Sequence, residues 1–423
     1  MLILILYISI FILAYVIYAA IARFTVSKIG FNARKTVTFG DESAVTSNRV
    51  ASIISVIAIF LIWGAFTGSK ITPVHVPGPF VGDTSFSYTA TNPQNLTAKA
   101  RVHIRVGLVG QDLQKPEISD KNQSGFAKDD ALKVFAWRSG LIRVQDNDEG
   151  GKAKGYRVTA INGKPISPKQ SVKVENGLVN MTEKGSLSFV PDKGWQMEPI
   201  WLPAPESVVS SFVEIFVDGY QNVTLTENIG WSLFRVFTGF AFGSLFGIPL
   251  GYAMGLNDWF RGWFDPIVEF MRPIPPLALI PLVIIWFGIW EKGKISLLFL
   301  AALWIMTISA RAGVSGVSIA KVHAAYSLGA SKFQILTHVI MPNSLPEIFT
   351  GARVAMGVCW GTVVAAELVA AEKGAGKMII AASKFQQTDI VIMGIIMIGV
   401  IGFGIDILMR IAEKILVPWK GKS

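Results

Sequence analysis

Residues 323–342, HAAYSLGASKFQILTHVIMP, form a polar, basic-tinged interruption between two apolar runs. The stretch opens on His323, Ala324 and Ala325, reaches a lone Gly329, and closes on Val339, Ile340, Met341 and Pro342. Its physical reading is two short helices joined at a glycine bend. Gly329 admits the positive φ that a sharp bend needs. Ala324, Ala325 and Leu328 make a small-residue face that another protein can approach closely. Pro342 is expected to act as a hard stop.

The surroundings decide what kind of segment this is. Of 423 residues, 51% are hydrophobic and only 16% are charged. Several runs carry almost no charge over the ~20 residues that a membrane helix needs. That composition excludes an ordinary soluble chain of this length. The net charge is +10. Nucleic-acid binding would gather the basic residues on a soluble face. Here they flank apolar runs and fill two polar segments, as the positive-inside rule places them, so no nucleic-acid partner is expected. The single cysteine, Cys359, lies in an apolar run and the four histidines are scattered. Neither a disulfide framework nor a metal site is expected. A phosphate-binding loop of the Gly-x4-Gly-Lys-Ser/Thr type does not occur, and Gly374-Ala-Gly-Lys377 lacks both the earlier glycine and the hydroxyl residue. The chain is therefore not its own ATPase.

Taken in order, residues 1–22 read as a first membrane helix, uncleaved, because no basic residue precedes the apolar run. In 23–49, Arg23, Lys28, Arg34, Lys35 and Arg49 outweigh Asp41 and Glu42. That bias predicts a cytoplasmic loop with the N-terminus outside. Residues 50–67 are a second span. Residues 68–200 are polar and strand-patterned: Arg101 to Val106 alternates with period two, and Asn162-Gly163 and Asn176-Gly177 are hairpin signals. They predict a small antiparallel β-rich domain outside the cytoplasm. Within it, Asp146-Asn-Asp-Glu-Gly150 lacks the full spacing of a calcium loop and reads as an acidic surface turn.

Residues 201–228 predict an interfacial amphipathic segment, with Val208, Val209, Phe212, Ile215 and Phe216 on one stripe. Residues 229–423 predict a core of five membrane helices with a loop at 321–347. Gly239, Gly243, Gly247, Gly251 and Gly255 recur at four-residue spacing, which lets membrane helices approach closely. The run 264–290 carries Pro273, Pro275, Pro276 and Pro281, too many for a plain helix unless neighbours cover the freed backbone groups. Arg410, Lys414, Lys420 and Lys422 put the C-terminus in the cytoplasm.

The 323–342 stretch resembles the cytoplasmic coupling loop of ABC importer permeases, whose pattern is Glu-Ala-Ala, three residues, Gly, nine residues, then Ile-x-Leu-Pro. Ala324, Ala325, Gly329 and Pro342 fall on that pattern, His323 takes the acidic position, and Val339 and Met341 are apolar replacements. The flanks strengthen the likeness: LPAP at 202–205, SLFRVFTGF at 232–240, GIPLG at 247–251, RPIPPLALIPLVIIWFGI at 272–289, WGTVVAAELVAA at 360–371, and the late Asp389 and Asp406. Together they are similar to permeases of the nitrate, taurine and sulfonate import family. The resemblance covers 201–423 and, less specifically, 50–67. The first helix and the 68–200 insert depart from the usual member.

The resemblance implies an all-α polytopic membrane protein, a type I ABC importer permease-like helix bundle, here with an inserted extracytoplasmic β-rich domain. It implies a bacterial inner-membrane permease that moves a small, anionic solute and is not an enzyme. The implied partners are two ABC ATPase subunits, a second permease copy, an extracytoplasmic solute-binding protein and membrane lipid. ATP and Mg would be bound by the ATPases, so no cofactor is expected in this chain. His323, Ala324, Ala325, Leu328, Gly329, Ala330 and Pro342 are the coupling residues by this likeness. Glu367, Arg235 and Arg272 are candidates for the translocation pathway, because an intramembrane ionisable group normally faces a bundle interior or a wet cavity; Trp360, in an apolar run, is a further candidate. The competing reading is a membrane-anchored adaptor or binding protein acting through its β domain, which would have no need of a coupling loop.

Overall fold

The computed structural model describes residues 2–26, 49–118, 125–149 and 154–419. The chain divides into two compact units, Met1–Glu206 and Ser207–Ser423. Most of the expected basic loop at 23–49, together with Lys420 and Lys422, lies outside the described residues.

The first unit starts with two helices, α1 (Leu2–Val26) and α2 (Arg49–Thr67). Both are apolar on all sides, as lipid-facing helices are. Tyr7 Oη and Ser55 Oγ link them at 2.5 Å. Nine strands follow: β1 (Gly82–Thr91), β2 (Thr97–Gly107), β3 (Asp130–Phe135), β4 (Gly140–Ile142), β5 (Arg157–Ile161), β6 (Lys164–Pro165), β7 (Ser171–Val174), β8 (Gly177–Met181) and β9 (Leu187–Pro191). They form a five-stranded sheet in the order β3-β2-β1-β5-β6 and a four-stranded sheet in the order β4-β9-β8-β7. Alternate residues of β2, Val102, Ile104 and Val106, are buried. They share one core with Leu187 and Phe189 of the other sheet, and the Phe86 and Phe189 rings stack 6.4 Å apart. The nine strands thus form a β-sandwich.

Two expectations for this unit change. The domain is not wholly antiparallel, because β2 and β3 pair parallel, Val102 opposite Asp130 through Gly107 opposite Phe135. A parallel pair needs a long crossover, and the chain between Gly107 and Asp130 is long enough for one. The 146–150 turn is not wholly a surface feature either. Asp148 is buried.

The second unit is helical. Its elements are α3 (Pro205–Asp218, which begins in the first unit), α4 (Leu225–Leu256), α5 (Asp258–Met271), α6 (Ile280–Phe287), α7 (Glu291–Ser315), α8 (Ile319–Ser327), α9 (Lys332–Ile335), α10 (Met341–Ala370), α11 (Ala375–Lys384) and α12 (Thr388–Leu416). Along the α3 stripe, Val208 and Ile215 are buried while Val209, Phe212 and Phe216 are exposed. Among the described residues, α1, α2, α4, α7, the continuous α9–α10 run and α12 are long and apolar enough to cross a membrane. The proline-rich run becomes α5 and α6, bent by 91° at their break.

The α4 glycines explain the core. A methyl group at Gly239 would lie 2.4 Å from Leu298 Cβ, at Gly243 2.5 Å from Ala302 Cβ, and at Gly251 2.4 Å from the Thr307 carbonyl oxygen. Only glycine lets the two backbones approach this closely. The paired positions rise together along both helices, so α4 and α7 are parallel. The chain must therefore return along their length between Leu256 and Glu291, and the bent α5–α6 pair is what makes the return. Helix α10 is antiparallel to both. Gly313 packs on Ser344 near its start, and Cys359 lies against the Leu298 carbonyl further along.

Candidate functional site

At the starting end of α4 and α7, a group of charges is held together, with Arg235, Glu367 and Lys294 out of solvent and Glu291 partly exposed. Asn228, Ser232 and Arg235 occupy one stripe of α4 at helical spacing. The helix itself begins with a capping box from Thr224 and Glu227. The Arg235 side chain is 1% exposed and that of Glu367, from α10, 0% exposed. Arg235 Nη1 donates to Glu367 Oε1 at 2.6 Å and to the Lys373 carbonyl at 2.8 Å. Its Nε and Nη2 grip Glu291 of α7 at 2.5 and 2.7 Å, a bidentate fork. Lys294 Nζ donates to the same Glu291 carboxylate at 2.9 Å. The Trp231 ring lies under the guanidinium, 5.6 Å from its carbon.

The turn before α11 completes this group. Gly374 N–H donates to Asn228 Oδ1 at 2.8 Å, Ala375 N–H to Ser232 Oγ at 3.0 Å, and Gly376 N–H to Glu367 Oε2 at 3.0 Å. These amides open a helix and have no partner within it, and side chains from α4 and α10 satisfy them. A side chain at Gly374 (φ +141°) would be placed 2.4 Å from the Glu367 carboxyl carbon. Beside this network lies a cavity of about 390 Å³, with Trp290, Lys373, Lys377 and Lys384 among its lining residues. Among the described residues, neither Lys377 nor Lys384 has an ion-pair partner.

The sequence candidates separate here. Arg235 and Glu367 come together, with Arg235 turned inward rather than extended toward a span end. Arg272 caps the C-terminus of α5, is mostly exposed, and among the described residues pairs with Glu269 at 3.9 Å. Trp360 is buried and donates from Nε1 to the Ile398 carbonyl at 3.1 Å. Glu291 and Lys294 belong to the first turn of α7. Their roles could have been found from the sequence only by asking why a helix that begins in apolar surroundings carries charges one turn apart.

The opposite end of α7 and α10 carries the 323–342 segment. Helix α8 presents His323, Ala324 and Tyr326 to solvent, with Ala325 half-buried. Leu328 is 89% exposed, Gly329 has φ +83°, and Ala330 follows half-buried. Helix α9 opens with a capping box from Ser331 and Gln334 and exposes Phe333 at 73%. Pro342 does not stop a helix. It sits in the first turn of α10, after a π-turn at Leu336–Ile340. The wider turn carries the chain past the backbone hydrogen bond that proline cannot donate. The base of the segment is tied down by Lys321 to Asn343 at 2.8 Å and by Tyr252 with Ser344 at 2.5 Å. Arg353, near the middle of α10, reaches Asp406 of α12 at 3.3 Å.

Residues 243–416, wholly inside the helical unit, match the family of binding-protein-dependent transport system inner membrane components. The taurine transport system permease protein TauC of Escherichia coli (strain K12) is 44% identical over 227 residues, which are 53% of this chain and 82% of that protein. The chain belongs to this family. The putative aliphatic sulfonates transport permease protein SsuC of Escherichia coli (strain K12) is 36% identical over 226 residues, 53% of this chain and 84% of that one. The nitrate import permease protein NrtB of Synechocystis sp. (strain ATCC 27184 / PCC 6803 / Kazusa) is 30% identical over 226 residues, 52% and 82% of the respective chains. The chain is accordingly a multi-pass inner-membrane ABC transport permease. Such a permease works with a partner ATPase, to which ATP hydrolysis belongs, and with a binding protein.

Proposed function

We propose that this chain is the membrane path of an ATP-driven importer for a small anionic solute of the taurine, sulfonate or nitrate kind. In this reading two copies line the path, and each receives one ATPase at its 323–342 segment. Nucleotide-driven movement of the ATPases is passed through α7 and α10 as alternating access. The chain itself contributes no cofactor to the transport step. The reading is supported above all by one observation: a short helical knob, tied down at its base, exposes Leu328, Phe333 and Tyr326 between two long spans. Apolar side chains of that size, set on a rigid turn, suit a helix-in-groove contact. His323 would offer a ring N–H where the usual carboxylate accepts.

The bent α5–α6 pair serves as the fifth span of the core in this arrangement. The basic 23–49 segment lies in the cytoplasm with the knob, and the N-terminus and the β-sandwich lie outside. There the sandwich docks or gates toward the binding protein. Arg235 and Glu367 act on the path indirectly, by joining three helices beside a cavity whose free lysines attract the anion.

The test is uptake in reconstituted vesicles with the partner ATPase and binding protein. Gly329→Asp meets no neighbouring atom but strains the bend at φ +83°, so it is expected to leave the helix bundle folded yet lose ATPase association and ligand-stimulated ATP hydrolysis. Retention of both would refute coupling through this segment. An assembled complex lacking residues 70–198 that still takes up solute normally would refute the docking role of the sandwich.

A further inference from the structure

The β-sandwich holds a set of oxygens that its own protons do not satisfy. Tyr88, from β1, is fully buried. Its hydroxyl lies 2.8 Å from the Lys128 carbonyl, 3.3 Å from the Val144 carbonyl and 3.1 Å from Asp148 Oδ1. A tyrosine hydroxyl has one proton to donate, so three acceptors converge on a single donor. Asp148 Oδ1 also accepts the Lys128 N–H at 2.7 Å. Asp148 is 8% exposed and Asp130 9% exposed, and the Oδ2 atom of each is buried without a hydrogen-bond partner. Among the described residues, neither carboxylate has an ion-pair partner. Orphaned carboxylate oxygens are expensive to bury, and Asp130 and Asp148 are near enough to repel one another, which raises the cost further.

We propose that Asp130 and Asp148, with the carbonyl oxygens of Lys128 and Val144 and the hydroxyl of Tyr88, hold a divalent oxygen-preferring cation, calcium foremost. A single shared proton would join one pair of carboxylate oxygens and leave the carbonyls still competing for the Tyr88 proton. A cation draws on all of these oxygens at once. Mixed carboxylate and main-chain carbonyl ligands, completed by water, are the set calcium accepts, and calcium tolerates irregular geometry that magnesium does not. The elements fit the role. Asp130 opens β3, Asp148 comes from the 146–149 turn, and an ion between them would pin that turn to the parallel β2–β3 edge. Among the described residues, no three His, Cys, Asp or Glu side chains cluster as a metal site. This site depends instead on two carboxylates supplemented by neutral oxygens.

The test uses the full chain, purified in detergent and stripped with a chelator. Calcium chloride is expected to raise the unfolding temperature saturably, magnesium chloride to do so weakly, and Asp130→Asn with Asp148→Asn to abolish the response. The exposed control Asp83→Asn keeps it. Terbium luminescence sensitised through Tyr88 gives a second readout on the unmutated fold: it should be displaced by calcium and reduced in Tyr88→Phe. Absence of both calcium stabilisation and displaceable terbium emission overturns the proposal, and a proton shared by the two carboxyls then accounts for the cluster. A calcium response that survives the double substitution also overturns it, because the ion would bind elsewhere.

Discussion

Helices α7 and α10 each have one end in a closed polar network and the other end in an open apolar one. At the closed end, Arg235 and Glu367 are out of solvent, and the guanidinium engages two carboxylates and a carbonyl. At the open end, Leu328 and Phe333 stand in solvent with their apolar surface unused. The difference teaches where folding is finished and where it is not. Buried charges are stable only when every strong donor and acceptor is met, so the closed end belongs to the folded subunit. Exposed apolar groups on a rigid turn gain nothing from the subunit alone. Their free energy is realised only on contact with another surface.

The hardest way to break this comparison is at Glu367. Glu367→Gln leaves Arg235 buried and half-paired, and loss of one partner from a buried pair costs roughly 3–5 kcal/mol. Thermal unfolding in detergent should register the loss, and a double-mutant cycle with Arg235→Met should show the two changes to be strongly non-additive. Near-additive effects would mean that the closed end is not a unit. Next in size is the seam between the helices. Gly251→Leu forces a side chain against Thr307 and Ala310, and overpacking of this kind costs about 1–3 kcal/mol. The same method should detect it, together with proteolytic opening of α4.

A smaller effect is expected from Glu206 at the head of α3. Burial raises its pKa, but the Ser69 hydroxyl at 2.6 Å and the Lys70 N–H at 2.8 Å outweigh that and hold the carboxyl below its usual value. A depressed folded pKa means that its stabilisation is present above the ordinary carboxylate range. It is lost as pH falls through the lower folded value. Unfolding measured from neutral to acid pH should therefore show a shallower acid loss in Glu206→Gln than in the parent. Identical acid profiles would remove Glu206 from the set of satisfied carboxylates. The smallest effect on folding is expected at Leu328. Leu328→Ser should change stability by no more than about 0.5 kcal/mol, as exposed substitutions generally do. It should nonetheless weaken ATPase association in a pull-down with the purified partner. A large loss of stability there would mean that the open end is part of the fold after all.

How far the sequence carried follows from which interactions are local. Apolar runs mark the long helices because each residue reports its own solvent. The α4 glycines could be read as a contact face because their spacing repeats within one helix, although their partner, α7, could not be named. Gly329 was legible because a bend is a property of one residue. Arg235 and Glu367 were visible as costly charges but not as a pair, since they lie 132 positions apart and nothing local links them. The same holds for Asp130 and Asp148: an acidic turn looks solvated until a strand from elsewhere covers it. Pro342 misled for a different reason. Proline is a stop for a helix that must keep its ladder regular, and here the ladder widens by one residue immediately beforehand.

That widened turn fixes a phase relation. Between Leu336 and Ile340 the chain carries one residue more than a regular ladder would use. Each residue of an α-helix advances the facing direction by about 100°. Removing one residue there would shorten the segment by little, yet it would rotate everything on its N-terminal side by more than a quarter of a turn relative to α10. Leu328 and Phe333 would then point along a different bearing while keeping their exposure and their local structure. The extra residue therefore works as an angular setting, and two chains with identical knobs but different turn widths would present them to different neighbours.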